Sequence, residues 1–230
     1  MPSEMVQFQS NGGETEGYLS VPESGTGAGV VVIQEWWGLV PHIKQVTDRF
    51  AAEGFVALAP DLYHGRSTTS PDEAGKLMMA LDIDRAEKDL RGAVGYLLAH
   101  PATTSASVGT VGFCMGGALS LYAASKNEQV GACVVFYGIH PKVRPDFERL
   151  RAPVLGFFGE TDESVTPDKV RALEAELKEH GKHAEMHIYA NAGHAFFNDA
   201  RPEAYDPAAA SDAWRRTLTF FRAKLNGKDE

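Results

Sequence analysis

Short runs of continuous apolar residues recur along this chain, separated by segments whose apolar residues repeat at helical spacing. Residues 29–34 (Gly-Val-Val-Val-Ile-Gln), 55–59, 108–111, 130–137 and 154–158 are such runs. A strand that is apolar at nearly every position has to be covered on both faces, which is the situation of a parallel sheet between two layers of helices. The intervening segments fit that demand. Residues 42–53 and 83–99 read as helices, the second placing Ala86, Leu90, Ala93, Val94 and Leu97 on one face. Residues 167–180 align Val170, Leu173 and Leu177, and residues 207–225 align Trp214, Leu218, Phe221 and Leu225. Residues 5–8 and 17–21 read as an antiparallel opening pair around the turn Asn11-Gly12-Gly13. Pro60 closes the 55–59 strand, and residues 184–189 form the last one. The expected fold is α/β, a mostly parallel sheet with helices on both faces, as one domain over 1–230.

Right-handed crossovers leave the C-terminal ends of parallel strands on one edge of the sheet, where α/β proteins build their sites. At the end of the 108–111 run stands Gly112-Phe113-Cys114-Met115-Gly116-Gly117, followed by helix formers from 118 to 124. Strand, sharp turn and helix in that order are the setting of a nucleophile elbow, here with cysteine where serine is usual. Gly112 and Gly116 then fall where a side chain would crowd the turned backbone. A packed cysteine in a glycine-rich turn is the bland reading of the same residues.

Two other loops leave the same edge. The 154–158 strand runs into Gly159-Glu160-Thr161-Asp162, and the last strand into Asn191-Ala192-Gly193-His194. The chain order nucleophile, acid, histidine is that of the α/β-hydrolase fold. His194 would deprotonate the Cys114 thiol, or form a thiolate–imidazolium pair with it, and later protonate the leaving group, with Asp162 holding the imidazole tautomer. Residues 34–38 (Gln-Glu-Trp-Trp-Gly) follow another strand, so the backbone amides of Trp36 and Met115 are the expected oxyanion hole. Glu35 is out of place beside an oxyanion hole, because its charge would oppose the developing one; it could instead be a surface loop acid.

Bulk properties narrow the class. The formal net charge is −9 and no cluster of Lys and Arg offsets it, which argues against nucleic acid. Cys114 and Cys133 are the only cysteines and form no C-x-x-C pair, so neither a disulfide framework nor a metal site is expected. Cys133 reads as a core thiol on a buried strand. No apolar run is long enough to span a membrane and the first residues carry no secretory pattern, so the default is a cytoplasmic protein. A monomer is the default oligomeric state.

Taken together, residues 34–38, 57–63 (Ala-Leu-Ala-Pro-Asp-Leu-Tyr), 112–117 and 193–196 (Gly-His-Ala-Phe) resemble the dienelactone hydrolase family, the cysteine branch of the α/β hydrolases. The resemblance implies Cys114 as nucleophile with Asp162 and His194, no cofactor, and Glu35 as a switch. In that family the resting thiol pairs with the glutamate; substrate binding reorients the pair and the glutamate takes the proton. Candidate substrate contacts are Trp37, Tyr63, Phe196 and Asn198. Two departures stand out. Family members hold a substrate carboxylate with two arginines, one of them four residues beyond the catalytic histidine, where this chain has Asn198. The other lies on the segment corresponding to 67–79, which here contains no arginine. Arg66, Lys76, Arg201 or His64 could substitute, although each also reads as a solvated surface group.

The expected partner is a small lactone or activated ester. A general carboxylesterase or thioesterase acting on neutral compounds would use the same triad. A non-catalytic member of the fold, with Trp36, Trp37, Phe196 and Phe197 lining a ligand pocket, is the alternative from another class.

Overall fold

The computed structural model describes residues 2–10, 13–138 and 140–225; Asn11 and Gly12 of the expected opening turn lie outside them. The chain forms β1 (Ser3–Ser10), β2 (Gly13–Ser20), β3 (Gly29–Ile33), α1 (Pro41–Ala52), β4 (Val56–Pro60), α2 (Pro71–Ala80) and α3 (Ile83–Ala99). It continues with β5 (Val108–Phe113), α4 (Met115–Lys126), β6 (Val130–Phe136), β7 (Val154–Gly159), α5 (Pro167–Glu179), β8 (Ala184–Tyr189) and α6 (Pro207–Leu225). The strands make one sheet in the order β1-β2-β4-β3-β5-β6-β7-β8. β1 and β2, and β2 and β4, pair antiparallel, while every pair from β4 to β8 is parallel.

Alternation along the buried strands divides the core between the two faces. Val31 and Ile33 of β3 and Cys133 and Val135 of β6 pack with Leu90, Val94 and Leu119 of α3 and α4. Val30 and Val32, with Val134 and Phe136, pack on the other face with Phe50 of α1 and Phe221 of α6. Cys133 is fully buried, as expected, and burial pushes its thiol up to about 11. A thiol kept protonated in the core is an inert one.

Local chemistry sets the helix starts. Proline opens α1, α2 and α5, where its missing N–H and fixed φ cost nothing. The Asp82 side chain caps α3 by accepting from the amides of Asp84 and Arg85. The opening strands are longer than expected, with Gly13 already in β2, and two helices also differ from expectation. α2 gave no periodic signal, because only Ala74 and Leu77 of it are buried. α4 begins at Met115, earlier than the helix formers from 118 suggest, and takes the poor helix formers Gly116 and Gly117 into its first turn. Close packing at the elbow explains why they are there.

Candidate active site

Cys114 sits between β5 and α4 with φ 54° and ψ −122°, a conformation that L residues other than glycine rarely adopt. Its amide donates to the Phe136 carbonyl at 3.0 Å, and its carbonyl accepts from Gly117 at 2.9 Å, so the turn is held from both sides. A Cβ on Gly112 would stand 1.9 Å from the Gly116 oxygen, and one on Gly116 would stand 2.4 Å from the Gln34 oxygen. Both glycines are therefore required by close backbone approach, and the side chain of Cys114 is lifted off the strand end.

The loops after β7 and β8 bring Asp162 and His194 to the same edge. The His194 Nδ1–H donates to Asp162 Oδ2 at 2.6 Å. The other oxygen, Oδ1, accepts from the amides of Ser164 (2.8 Å) and Val165 (2.9 Å), which fixes the carboxylate plane. Burial alone would raise the Asp162 pKa, but these bonds outweigh it and hold the carboxyl below its ordinary value. His194 behaves in the mirror-image way. Burial would lower its pKa, yet the bond to Asp162 and the interaction with Cys114 push it up to about 10. With Nδ1 committed to Asp162, Nε2 is the nitrogen left to exchange a proton with the thiol.

Glu35 is not a surface acid. It is 2% exposed, and its Oε2 accepts from Asn198 Nδ2 at 2.8 Å. Desolvation raises its pKa, only partly offset by Asn198, His194 and Arg201. Among the described residues no side-chain hydrogen bond joins Glu35 to Cys114. The side-chain partner that Glu35 has is Asn198, and the interaction of Cys114 with His194 is one of the causes that raise the histidine's pKa. The Tyr137 ring lies beside His194, with centroids 5.1 Å apart, and its residue has φ 40°. Its hydroxyl is buried and closes no hydrogen bond of ordinary geometry among the described residues. Burial, then Glu35 and Cys114, keep that phenol protonated.

A cleft of about 600 Å³ opens over these groups, with Glu35, Cys114, Tyr137 and His194 in its wall. Trp36, Trp37 and Met115 also line it. Met115 opens α4, so its N–H is one of the amides that have no partner inside the helix.

Three expected substrate contacts are elsewhere. Phe196 is fully buried against Phe136, Tyr137 and Tyr189, and Phe197 is stacked on Phe113 beneath Arg49. Both are core residues, because the turn after His194 folds them inward at Ala195, φ 62°. Tyr63 lies behind Met115, its hydroxyl 3.4 Å from the Met115 sulfur. Asn198 holds Glu35 and lines a neighbouring cleft rather than this one. The 57–63 motif is itself architectural: Asp61 accepts from the amides of Tyr63 and Gly65, and Gln34 Oε1 accepts from Leu62.

The cleft also holds one of the four substitute cations named from the sequence and one cation that was not named. Arg201, read as a surface group, lines it and lies over the Trp37 ring at 5.7 Å. Lys169 lines it too. Of the other cations considered, Lys76 is paired with Glu73 on the surface, His64 lies 3.0 Å from Asp89, and Arg66 lines a separate cleft. Tyr137 follows β6 directly, so the strand-end argument that found Asp162 and His194 would have found it as well. Nothing in the local sequence marks Lys169, which belongs to the exposed side of α5. Among the described residues no group of His, Cys, Asp and Glu side chains could hold a metal ion, and no helix is long and apolar enough to cross a membrane.

Comparison with known proteins shows the family. The model of the dienelactone hydrolase family matches residues 15–225. Protein usf of Aquifex pyrophilus is 39% identical over 229 residues, covering 96% of this chain and 99% of that protein. A relative from Aquifex aeolicus, provisionally named a carboxymethylenebutenolidase, is 35% identical with the same coverage. Among solved structures, a dienelactone hydrolase-like promiscuous phosphotriesterase from metagenomic libraries superposes with a TM-score of 0.88 at 25% identity, covering 97% of this chain and 98% of that one.

Proposed function

Since the chain belongs to the dienelactone hydrolase family, we propose that it opens a lactone or cleaves an activated ester through a thioacyl-enzyme on Cys114, as one domain working without a cofactor. The observation that carries this reading is the 2.6 Å Asp162–His194 bond beside a cysteine on a strained elbow. The Cys114 sulfur, its proton having passed to His194 Nε2 or to Glu35, attacks the carbonyl carbon as a thiolate. The amides of Trp36 and Met115 receive the oxyanion. Collapse breaks the acyl C–O bond, and His194 protonates the departing oxygen. Water, deprotonated by His194, then attacks the thioester, the C–S bond breaks, and the thiol is restored. A buried Glu35 of raised pKa is a better proton acceptor than a solvated one.

Thiolate is itself a good leaving group, so the tetrahedral adduct returns to reactants unless the substrate carries a better one. Enol lactones and aryl esters meet that demand; amides do not. Arg201, which also pairs with Glu203 at 2.9 Å, and Lys169 bring positive charge to the cleft and favour a substrate with a carboxylate. The apolar walls of Trp36, Trp37, Met78 and Val165 favour the second reading, a neutral ester. Turnover of an anionic dienelactone against a neutral aryl acetate separates the two. Preference for the dienelactone supports the anionic substrate, and preference for the acetate supports the neutral one. A Cys114→Ala protein that keeps full turnover of both contradicts the mechanism. A thiol-dependent hydrolase suits the reducing cytoplasm, where we place it.

A further inference from the structure

A second cleft, of about 410 Å³, adjoins the catalytic one, and His140 and Lys169 line both. Its walls are largely apolar, with Ala118 and Leu121 of α4 on one side and Leu173 of α5 on another. α4 is the helix that carries Cys114 at its N-terminus, so this wall runs away from the nucleophile along its own helix.

His140 stands at the junction and is only 5% exposed. Its Nδ1 accepts from the Lys142 amide at 3.1 Å. A nitrogen that accepts a hydrogen bond carries no proton, so the proton of the neutral ring is on Nε2. That N–H is buried and has no partner among the described residues. Leaving a buried donor unpaired is costly, and a ligand acceptor would remove the cost. His194 has to reach the leaving oxygen, so the leaving group lies on the His194 side of Cys114. The lining of the second cleft does not include His194, which leaves that cleft open to the other arm of the substrate, the acyl one.

We propose that the second cleft and the His140 Nε2–H form a subsite for the acyl arm of an extended ester or lactone, the donor holding a keto or ether oxygen partway along the arm and the cleft taking the apolar remainder. The proposal rests on the thioacyl reading for which arm is seated, and adds the class of substrate: a medium-length apolar acyl chain with an oxygen acceptor near its middle.

The test compares p-nitrophenyl acetate, octanoate and γ-keto octanoate on the wild type, Ala172→Trp and His140→Leu. Ala172 lines the second cleft from the exposed side of α5, where a tryptophan fills space without disturbing the core. The octanoate-to-acetate ratio of kcat/KM should fall about tenfold in Ala172→Trp, the scale of losing several methylene contacts in an apolar pocket. In His140→Leu the preference for γ-keto octanoate over octanoate should disappear. Calorimetric binding of octanoate and γ-keto octanoate to wild type and Ala172→Trp reads the same subsite without turnover, so it decides even if no aryl ester is hydrolysed. Weakening by about tenfold supports the subsite. Unchanged ratios together with unchanged binding in a folded Ala172→Trp protein would overturn it.

Discussion

Asn198 and Glu35, 163 residues apart in the chain, meet in a buried hydrogen bond of 2.8 Å, the amide nitrogen donating to the carboxylate. The residue at the family's arginine position therefore steadies the active-site glutamate here. A hydrogen bond to a charged group contributes about 1.5–3 kcal/mol, and this one favours the ionised form. Replacing Asn198 by Ala should raise the Glu35 pKa further. The acid limb of the pH–kcat/KM profile should then move up by about one unit, while Asn198→Gln moves it less. A limb that stays in place in Asn198→Ala would separate Glu35 from the proton transfer.

Glu35 itself sets a stability test. Its folded pKa lies above the ordinary 4.5, so the native state holds this proton more tightly than the unfolded chain does. Stability from this group is present at acid pH and is lost as the pH rises from the ordinary carboxylate range through the folded value. Glu35→Gln keeps an acceptor for Asn198 and removes the buried charge. Thermal denaturation should show the variant several degrees more stable than wild type at pH 8 and little different at pH 4, with slower turnover. Equal melting temperatures at both pH values would contradict the burial argument.

The Asp162–His194 pair works in both directions. His194, raised from 6.5 to about 10, contributes stability that is fully present below pH 6.5 and lost as the pH climbs through 10. Asp162, depressed below 3.8, contributes stability present above that value and lost as the pH falls through its folded pKa. Asp162→Asn removes the partner and favours the wrong tautomer. It should cost about 10³-fold in kcat/KM. Chemical denaturation should find it less stable than wild type near pH 6, with the gap narrowing above pH 10.

Glycine substitutions separate the elbow from ordinary helix. Gly116→Ala places a Cβ 2.4 Å from backbone oxygen and should destabilise by about 3 kcal/mol. Gly95, exposed on α3, has nothing within 4 Å of an added Cβ. Gly95→Ala should stabilise by about 0.5–1 kcal/mol. Urea titrations of the two variants read both signs.

Those contrasts also show what could be read from the chain alone. Val30–Ile33 and Val154–Phe158 revealed the sheet because strands buried on both faces have little room for polar residues. Cys114, Asp162 and His194 were legible because each follows a strand end, and strand ends share an edge. α2 escaped because a helix with two buried residues writes almost no pattern. Phe196 misled because an aromatic residue after a catalytic histidine has the same letter whether it faces a cleft or the core; only the backbone at Ala195 decides. Arg201 could not be told from Arg66, Lys76 and His64 for a related reason, since a cation on a loop is ordinary until the loop folds over Trp37. The partner of Glu35 could not be foreseen, because a contact across 163 residues leaves no local trace.

The account stands most directly on where the acyl group goes. Acid quenching within the first turnover of an activated aryl ester, followed by intact-mass and peptide mass spectrometry, reads this. The account predicts an acyl mass on the peptide carrying Cys114, and none on the Cys114→Ala protein. An acyl group on any other residue, or wild-type turnover by Cys114→Ala, would contradict it.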